Sequence, residues 1–362
     1  MSKIGIVTFH NAHNFGAVLQ CLALQESIKE LNHDVEVINY SCDAVTNGYT
    51  DGSLQLRNCS LKEMARSIIV YAFKGRRKKE RYNKFNNFIN KNLNLSEQID
   101  REKDWNANKY DSIVFGSDQI WNIFVTNKDT FYFGDFPFQG KKISYGASVG
   151  NADTQLNNYF NLLNDFEYLG VRENSIRTLL INNNFHNCFN NIDPTLLLPA
   201  EKWIKLLNLK KKSLKKEYVL VYPLRERTQT VKAATDFAKR LGLDIIEIGS
   251  KVLFNKKRNR VEKIGPLEFL DLIYNSKYVI TNSFHGTVFS IIFNKDFNTV
   301  ALNDGEDGRI INLLHRLQLD NRIVNIGERI NEITDNYNNV NKIIENDRVD
   351  SINFLSNALQ NE

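Results

Sequence analysis

The sequence predicts two α/β domains, each built on a parallel sheet. Three observations lead there. The chain has 362 residues, more than one compact core usually holds. It opens on a strand–helix–strand alternation, and a second alternation of the same kind begins after residue 217. Short apolar runs with no polar alternation are the pattern of strands covered on both faces, as in a parallel sheet.

The elements follow in order. Ile4–Phe9 reads as a strand. Ala17, Cys21, Leu24, Ile28 and Leu31 recur at three- and four-residue steps and give one apolar helix face. Val35–Tyr40 completes a right-handed βαβ unit. Ser112–Phe115 and Ile143–Tyr145 are short apolar strands. Leu156–Phe166 reads as a helix, Leu169–Val171 as a strand and Ser175–Ile181 as a helix. Two prolines in Asp193–Pro199 break the alternation, and a basic helix and linker end near Lys216. Tyr218–Tyr222 and Asp244–Ile248 are strands around a helix Thr230–Leu241. Pro266 suits the first turn of a helix Leu267–Asn275. Tyr278–Thr281 is a strand, Asn282–Thr287 a tight loop before a helix, Phe297–Leu302 a strand and Ile310–Leu317 an amphipathic helix. The expected division is an N-terminal domain 1–200 carrying the basic segment 61–92, a second domain 217–335, and a helical tail 336–362 that packs back on the first. Two Rossmann-like domains facing a cleft are the expected architecture.

Composition narrows the class. Hydrophobic residues make up 42% and charged residues 25%, ordinary for a soluble globular protein. No apolar run is long enough to span a bilayer, and Met1–Val7 is too short for a signal peptide and reads as a strand. Cys21, Cys42, Cys59 and Cys188 show neither CxxC pairing nor metal-ligand spacing, which points to reduced thiols and a cytoplasmic protein. The net charge is +5, with a dense block at Lys74–Arg81. Leu61, Met64, Ile68 and Tyr71 or Ala72 form an apolar stripe before it. Together they suggest peripheral contact with an anionic membrane, against the alternative of a solvated helix and charged loop. The basic residues are not interleaved with aromatics, so nucleic acid is not expected.

In open parallel sheets ligands bind at the carboxyl ends of the strands, so the loops there carry the candidates. The most informative is Ser283-Phe-His-Gly-Thr287. A strand running through a small-residue turn into a helix N-terminus is an anion site. His285 adds a proton source, with Ser283, Gly286 and Thr287 around it. After the first strand, Asn14 and Gly16 stand at a helix start and offer either an anion or hydroxyl site or a structural turn. After Ser112–Phe115, Ser117, Asp118 and Gln119 lie beside Trp121, the composition of a sugar site; equally, Asp118 can cap a helix and Trp121 can be core. Arg172 either forks onto a phosphate or carboxylate or pairs with Glu173 or another acid. Asp304–Arg309 lacks Ca²⁺-loop spacing, and Arg309 at the next helix start can reach back to the anion.

Six segments in order, Asn14–Gln20, Gly116–Asn122, Ser144–Ser148, Val171–Glu173, Asp193–Leu197 and Ser283–Thr287, together resemble the polysaccharide pyruvyl transferase family, over about residues 4 to 320. The resemblance implies a glycosyltransferase-B-like fold. It implies transfer of pyruvate from phosphoenolpyruvate to sugar hydroxyls, giving a pyruvate ketal and phosphate. It links Arg172 and His285, and by position Arg309, to phosphoenolpyruvate. On that basis His285 is the expected proton donor and Asp118 the expected base, with the division of roles open between them. The acceptor is a sugar or a polyprenyl-diphosphate-linked oligosaccharide at the inner face of the membrane. No metal or organic cofactor is called for. Two rivals remain at this level: a glycosyltransferase using a nucleotide-sugar, and a non-catalytic sugar- or anion-binding protein.

Overall fold

The computed structural model describes residues 1–46, 71–99, 105–150, 153–249, 259–304, 307–334 and 336–360. The chain forms two compact units. One comprises Met1–Gly48, Ile89–Leu198 and Asn341–Glu362, the other Tyr49–Phe88 and Pro199–Val340.

Among the described residues the first unit holds seven strands: β1 (Lys3–Val7), β2 (Asp34–Tyr40), β3 (Leu95–Ile99), β4 (Ser112–Phe115), β5 (Lys141–Ala147), β6 (Phe166–Val171) and β7 (Cys188–Asn190). All pair in parallel in the order β3-β2-β1-β4-β5-β6-β7. The order reverses between β1 and β4, where Val7 stands opposite Phe115. Such a reversal opens a crevice at the strands' carboxyl ends. The helix Phe15–Glu30 is more buried than its apolar stripe suggests, since every residue from Phe15 to Gln25 is covered. Its two buried glutamines are therefore hydrogen-bonded: Gln20 Nε2 donates to Thr8 Oγ1 (2.8 Å) and Gln25 Nε2 to Asn92 O (3.0 Å).

One expectation needs correction here. The stretch read as a helix Leu156–Phe166 is a 3₁₀ segment Asp153–Tyr159 followed by a one-turn helix Phe160–Leu163, and Phe166 already belongs to β6. Phe166 is drawn into the core against Phe115 and Trp121, so packing ends the helix early. The short outer strands β3 and β7 were not legible, because their burial is partial.

The C-terminal helix Asn338–Leu359 packs on this unit from Asn341 onward. Ile192 N donates to Ser351 Oγ (3.2 Å), Arg348 Nε donates to Leu196 O (2.9 Å), and Phe354 meets Phe189 and Tyr145. Leu355, Ala358 and Leu359 are fully buried.

The second unit holds β8 (Tyr218–Tyr222), β9 (Asp244–Ile248), β10 (Arg260–Val261), β11 (Tyr278–Thr281), β12 (Asp296–Ala301) and β13 (Ile323–Asn325), parallel in the order β10-β9-β8-β11-β12-β13. The reversal falls between β8 and β11, with Tyr222 opposite Thr281. Both units are thus doubly wound Rossmann-like sheets, the building blocks of the glycosyltransferase-B class.

The basic segment departs from expectation. Up to Phe88, the helix Arg76–Asn92 belongs to the second unit rather than the first. Arg77 Nη1 pairs with buried Glu262 (2.8 Å), Arg81 Nη1 donates to Gly249 O (2.8 Å), Lys84 pairs with Glu268, and Glu80 pairs with Lys263 (2.5 Å). Several charges of the block are therefore used inside the protein. Leu61, Met64, Ile68 and Cys59 lie outside the described residues.

At the opposite, amino-terminal edge of this sheet, two lysines converge on one helix end. Lys295 Nζ donates to Ser276 O (2.9 Å) and Lys211 Nζ to Tyr274 O (3.1 Å), and both lie over the Tyr274 ring. Burial, together with the Lys211 charge, pulls the Lys295 amine down to about 7 from an ordinary 10.5. Between those values the unfolded chain binds the extra proton, so this residue makes stability rise with pH across that window. In urea titrations at pH 6.5 and 9.5, the wild-type midpoint should rise more than that of Lys295→Met. Parallel shifts in the two proteins would contradict this.

Candidate functional site

In the first unit the loops after β1, β4, β5 and β6 form one hydrogen-bonded patch. Gln20 joins the first two: its amide donates to Thr8 Oγ1, and its Oε1 accepts from Ser117 N (3.1 Å). Gly116 has φ +144°, and a Cβ there would lie 2.0 Å from Tyr145 O, so only glycine fits between β4 and β5. The loop turns at Asp118, whose φ is +66°. Its carbonyl accepts from Ser148 N (3.0 Å), tying the loop after β4 to the one after β5.

The candidate residues here take different places. Asn14 caps the helix Phe15–Glu30, and its Oδ1 accepts the Gly16 N–H (2.9 Å), so that donor already serves the helix. Ser117 is fully buried and its hydroxyl donates to Gly146 O (3.1 Å). Asp118 and Gln119 are half-buried at the strand end. Trp121 is core, 1% exposed, with Nε1 donating to Tyr132 O (3.1 Å) and its ring stacked on Phe133. It supplies no aromatic face for a sugar.

Arg172 follows β6 with 7% of its side chain exposed. Nη1 donates to Asp193 Oδ2 (2.9 Å) and Nε to Glu173 Oε1 (3.4 Å). Asp193 Oδ1 accepts from Thr195 N and Oγ1 (3.0 and 2.7 Å), and Ser148 Oγ donates to Glu173 (2.7 Å). Burial pulls the guanidinium down, but the charges of Glu173, Asp193 and Asp118 more than offset this and raise it. One cation among three carboxylates makes the patch acidic on balance. It suits hydroxyl donors better than an anion. Glu173, Ser148 and Asp193 lie within the family segments, and only their pairing in the fold reveals them as part of the site.

In the second unit the helix begins at Phe284, so His285 sits in its first turn and not in a preceding loop. Ser283 is the N-cap and its hydroxyl oxygen accepts the Gly286 N–H (3.4 Å). A Cβ on Gly286 would come within 2.5 Å of Thr281 Oγ1, so glycine lets the helix close onto β11. Thr287 Oγ1 is fully buried against Thr299 Oγ1 (2.8 Å). Ser283, Gly286 and Thr287 thus build the turn, and the 9%-exposed His285 ring is what the turn presents. Arg309, in the first turn of the helix Gly308–Arg316, lies 5.8 Å over the Phe284 ring, which brings a cation beside the histidine turn.

Sequence reasoning missed two residues at this reversal. Asn282 Oδ1 accepts from Leu224 N and Arg225 N (2.7 and 3.2 Å), and its amide donates to Arg225 O (2.5 Å), stapling the loop after β8 to the loop after β11. Arg225 pairs with Asp304 and, through Nη2, with Asp307 (2.8 Å). The hydrogen bonds it donates to these acids more than offset the effect of burial and raise its guanidinium. The signal was available: Arg225 follows a strand's carboxyl end. Asp307 is itself fixed by Leu302 N and Asn303 N (2.7 and 2.8 Å), while residues 305 and 306 of the acidic loop lie outside the described residues.

Each unit thus carries polar side chains at the carboxyl ends of its strands, carboxylates in the first and a histidine at a helix N-terminus in the second. The chain belongs to the polysaccharide pyruvyl transferase family, whose model matches residues 14–304. That makes it a pyruvyltransferase by class, acting in polysaccharide chemistry on a sugar acceptor. A search of curated proteins finds no match. Similar solved structures include UDP-GlcNAc 2-epimerase from Methanocaldococcus jannaschii, with 13% identity, 95% of this chain and 91% of that one covered, and a TM-score of 0.49. Others are UDP-GlcNAc 2-epimerase from Neisseria meningitidis (12%, 97% and 100%, TM-score 0.46) and UGT89C1 from Arabidopsis thaliana (13%, 99% and 94%, TM-score 0.42). Among the described residues no helix is long and apolar enough to cross a membrane.

Proposed function

We propose that this protein transfers pyruvate from phosphoenolpyruvate to two hydroxyls of one sugar, forming a cyclic ketal and releasing phosphate. The observation that carries this is His285 in the first turn of a capped helix, with Arg309 over the adjacent Phe284. Phosphoenolpyruvate bears a phosphate and a carboxylate, and a helix N-terminus with neighbouring guanidinium groups stabilises such charges. A proton from His285 goes to the methylene carbon, which becomes a methyl group and leaves C2 electrophilic. A sugar hydroxyl adds to C2 and loses its proton to a carboxylate base. The C2–O–phosphate bond then breaks, the second hydroxyl closes the ring, and its proton leaves with phosphate. The proton held by the base returns through solvent to replace the one His285 gave, so donor and acceptor balance with no oxidant or reductant. The acidic patch around Asp118 and Glu173 is the acceptor side. Arg172, held by two acids, orders that patch.

The nucleotide-sugar reading is weakened by one feature. Glu247, near the end of β9 where a Rossmann sheet holds a ribose, is paired with Arg227 (2.5 Å) and with Arg260. The purified protein should release phosphate from phosphoenolpyruvate when a glycoside with a suitable diol is present. Release of nucleotide from a UDP-sugar, with phosphoenolpyruvate left intact, would overturn the proposal.

A polyprenyl-diphosphate-linked acceptor at an anionic membrane fits the reading. Lys78 and Lys79 of the Lys74–Arg81 block are the candidate contact. Co-sedimentation with phosphatidylglycerol liposomes at low salt should capture the protein and be lost in Lys78→Glu/Lys79→Glu. Absence of capture would remove the membrane from the proposal.

A further inference from the structure

We infer that Phe124 is a stacking platform for the apolar face of a hexopyranose ring on the acceptor side of the first unit. The inference rests on the acceptor reading given above. Isolated exposed apolar residues are ordinary on protein surfaces, so exposure alone carries nothing. Phe124 differs in degree: it is 73% exposed, against 50% for Tyr71, the next large apolar side chain after the N-terminal Met1 among the described residues. Val125 beside it is also exposed.

Its backbone is pinned. Phe124 N donates to Asn122 Oδ1 (3.1 Å), Val125 N and Thr126 N both donate to Asn122 O (3.0 Å), and Lys128 N donates to Ile123 O (2.9 Å). On either side, Trp121 and Ile123 are buried. With the backbone fixed, only the ring's own two torsions are ordered when a ligand stacks on it.

The turn's position names the ligand. It continues the loop after β4, at the sheet's reversal, in the same run as Asp118 and Gln119. The Asn122 carboxamide joins them: its Oδ1 accepts the Phe124 N–H while its Nδ2 donates to Gln119 Oε1 (2.8 Å). Carboxylate, carboxamide and an exposed aromatic face on one rigid loop match a sugar, which offers hydroxyls at its edge and C–H groups on its face. Trp121, the aromatic that composition suggests, is in the core; Phe124, three residues later in the same loop, takes its place.

The test uses the full chain and methyl glycosides of galactose, glucose and mannose, read by saturation-transfer NMR. Wild type should show transfer to ring protons of at least one glycoside. Phe124→Ala should weaken that binding roughly 3- to 10-fold, and Phe124→Trp should retain it. Thermal melting confirms that the variants fold. Equal binding by wild type and Phe124→Ala, or no glycoside bound by wild type, would overturn the inference. So would a loss of self-association in Phe124→Ala on sedimentation, which would make the ring an interface residue. Phosphate release from phosphoenolpyruvate, measured separately, tests the underlying reading: its absence with glycoside binding intact removes the reaction and leaves the platform.

Discussion

His285→Ala is expected to slow phosphate release from phosphoenolpyruvate by about 10²- to 10⁴-fold, the usual contribution of a positioned proton donor. The fold should survive. The helix Phe284–Ile292 is capped by Ser283, held to β11 through Gly286 and joined to β12 through Thr287, and none of these needs the imidazole. His285→Gln retains polarity and a donor but cannot shuttle a proton at neutral pH, so it should restore donor binding without restoring the rate. That separates a proton donor from a phosphate ligand. Turnover near wild type in either variant would remove His285 from the chemistry. A rate loss in Arg309→Ala that appears mainly as a raised KM for phosphoenolpyruvate would assign the neighbouring cation to binding.

Arg172→Ala is expected to be the most destabilising single change. The guanidinium is buried and shared by Asp193 and Glu173, and Asp193 also organises the turn at Thr195. Removing the cation strands two carboxylates in a low-dielectric site, which costs about 3–5 kcal/mol for a buried pair. For a unit of this size that corresponds to a fall in melting temperature of roughly 10 °C. Arg172→Lys keeps the charge but loses the fork that reaches both acids, and should fall between wild type and the alanine variant. An alanine variant that melts like wild type, with a selectively raised KM for phosphoenolpyruvate, would return Arg172 to the role of anion ligand that the family resemblance implies.

Much of the local structure was legible. Ser112–Phe115, Tyr218–Tyr222, Asp244–Ile248 and Tyr278–Thr281 are strands at the residues where the apolar runs place them. They are short and bounded by turn residues, and all but Asp244–Ile248 are buried along their whole length, so the pattern is a property of the run itself. The stretch Leu156–Phe166 reads locally as one helix, but Phe166 is claimed by the core from across the sheet. Outer strands such as β10 and β13 escaped because they are only a few residues long.

Roles within the site were legible in residue type but not in commitment. Asn14, Ser117 and Thr287 are polar residues in promising loops, yet each is committed to a cap or a buried hydrogen bond. A polar side chain near a strand end satisfies either the backbone around it or a ligand, and only distances distinguish these. The same holds for Trp121 and Phe124, two aromatics in one loop, one in the core and one in water.

The sequence by itself determined the alternation of strands and helices, the family, and the loops in which chemistry can occur, because these depend on periodicity, turn residues and caps within a few positions of one another. Tertiary structure decided which charges meet: Arg172 with Asp193, Arg225 with Asp304 and Asp307, Arg77 with Glu262. Those pairs join residues 21 to 185 positions apart. Strand order and register bring them together, and neither is written in any local stretch of the chain.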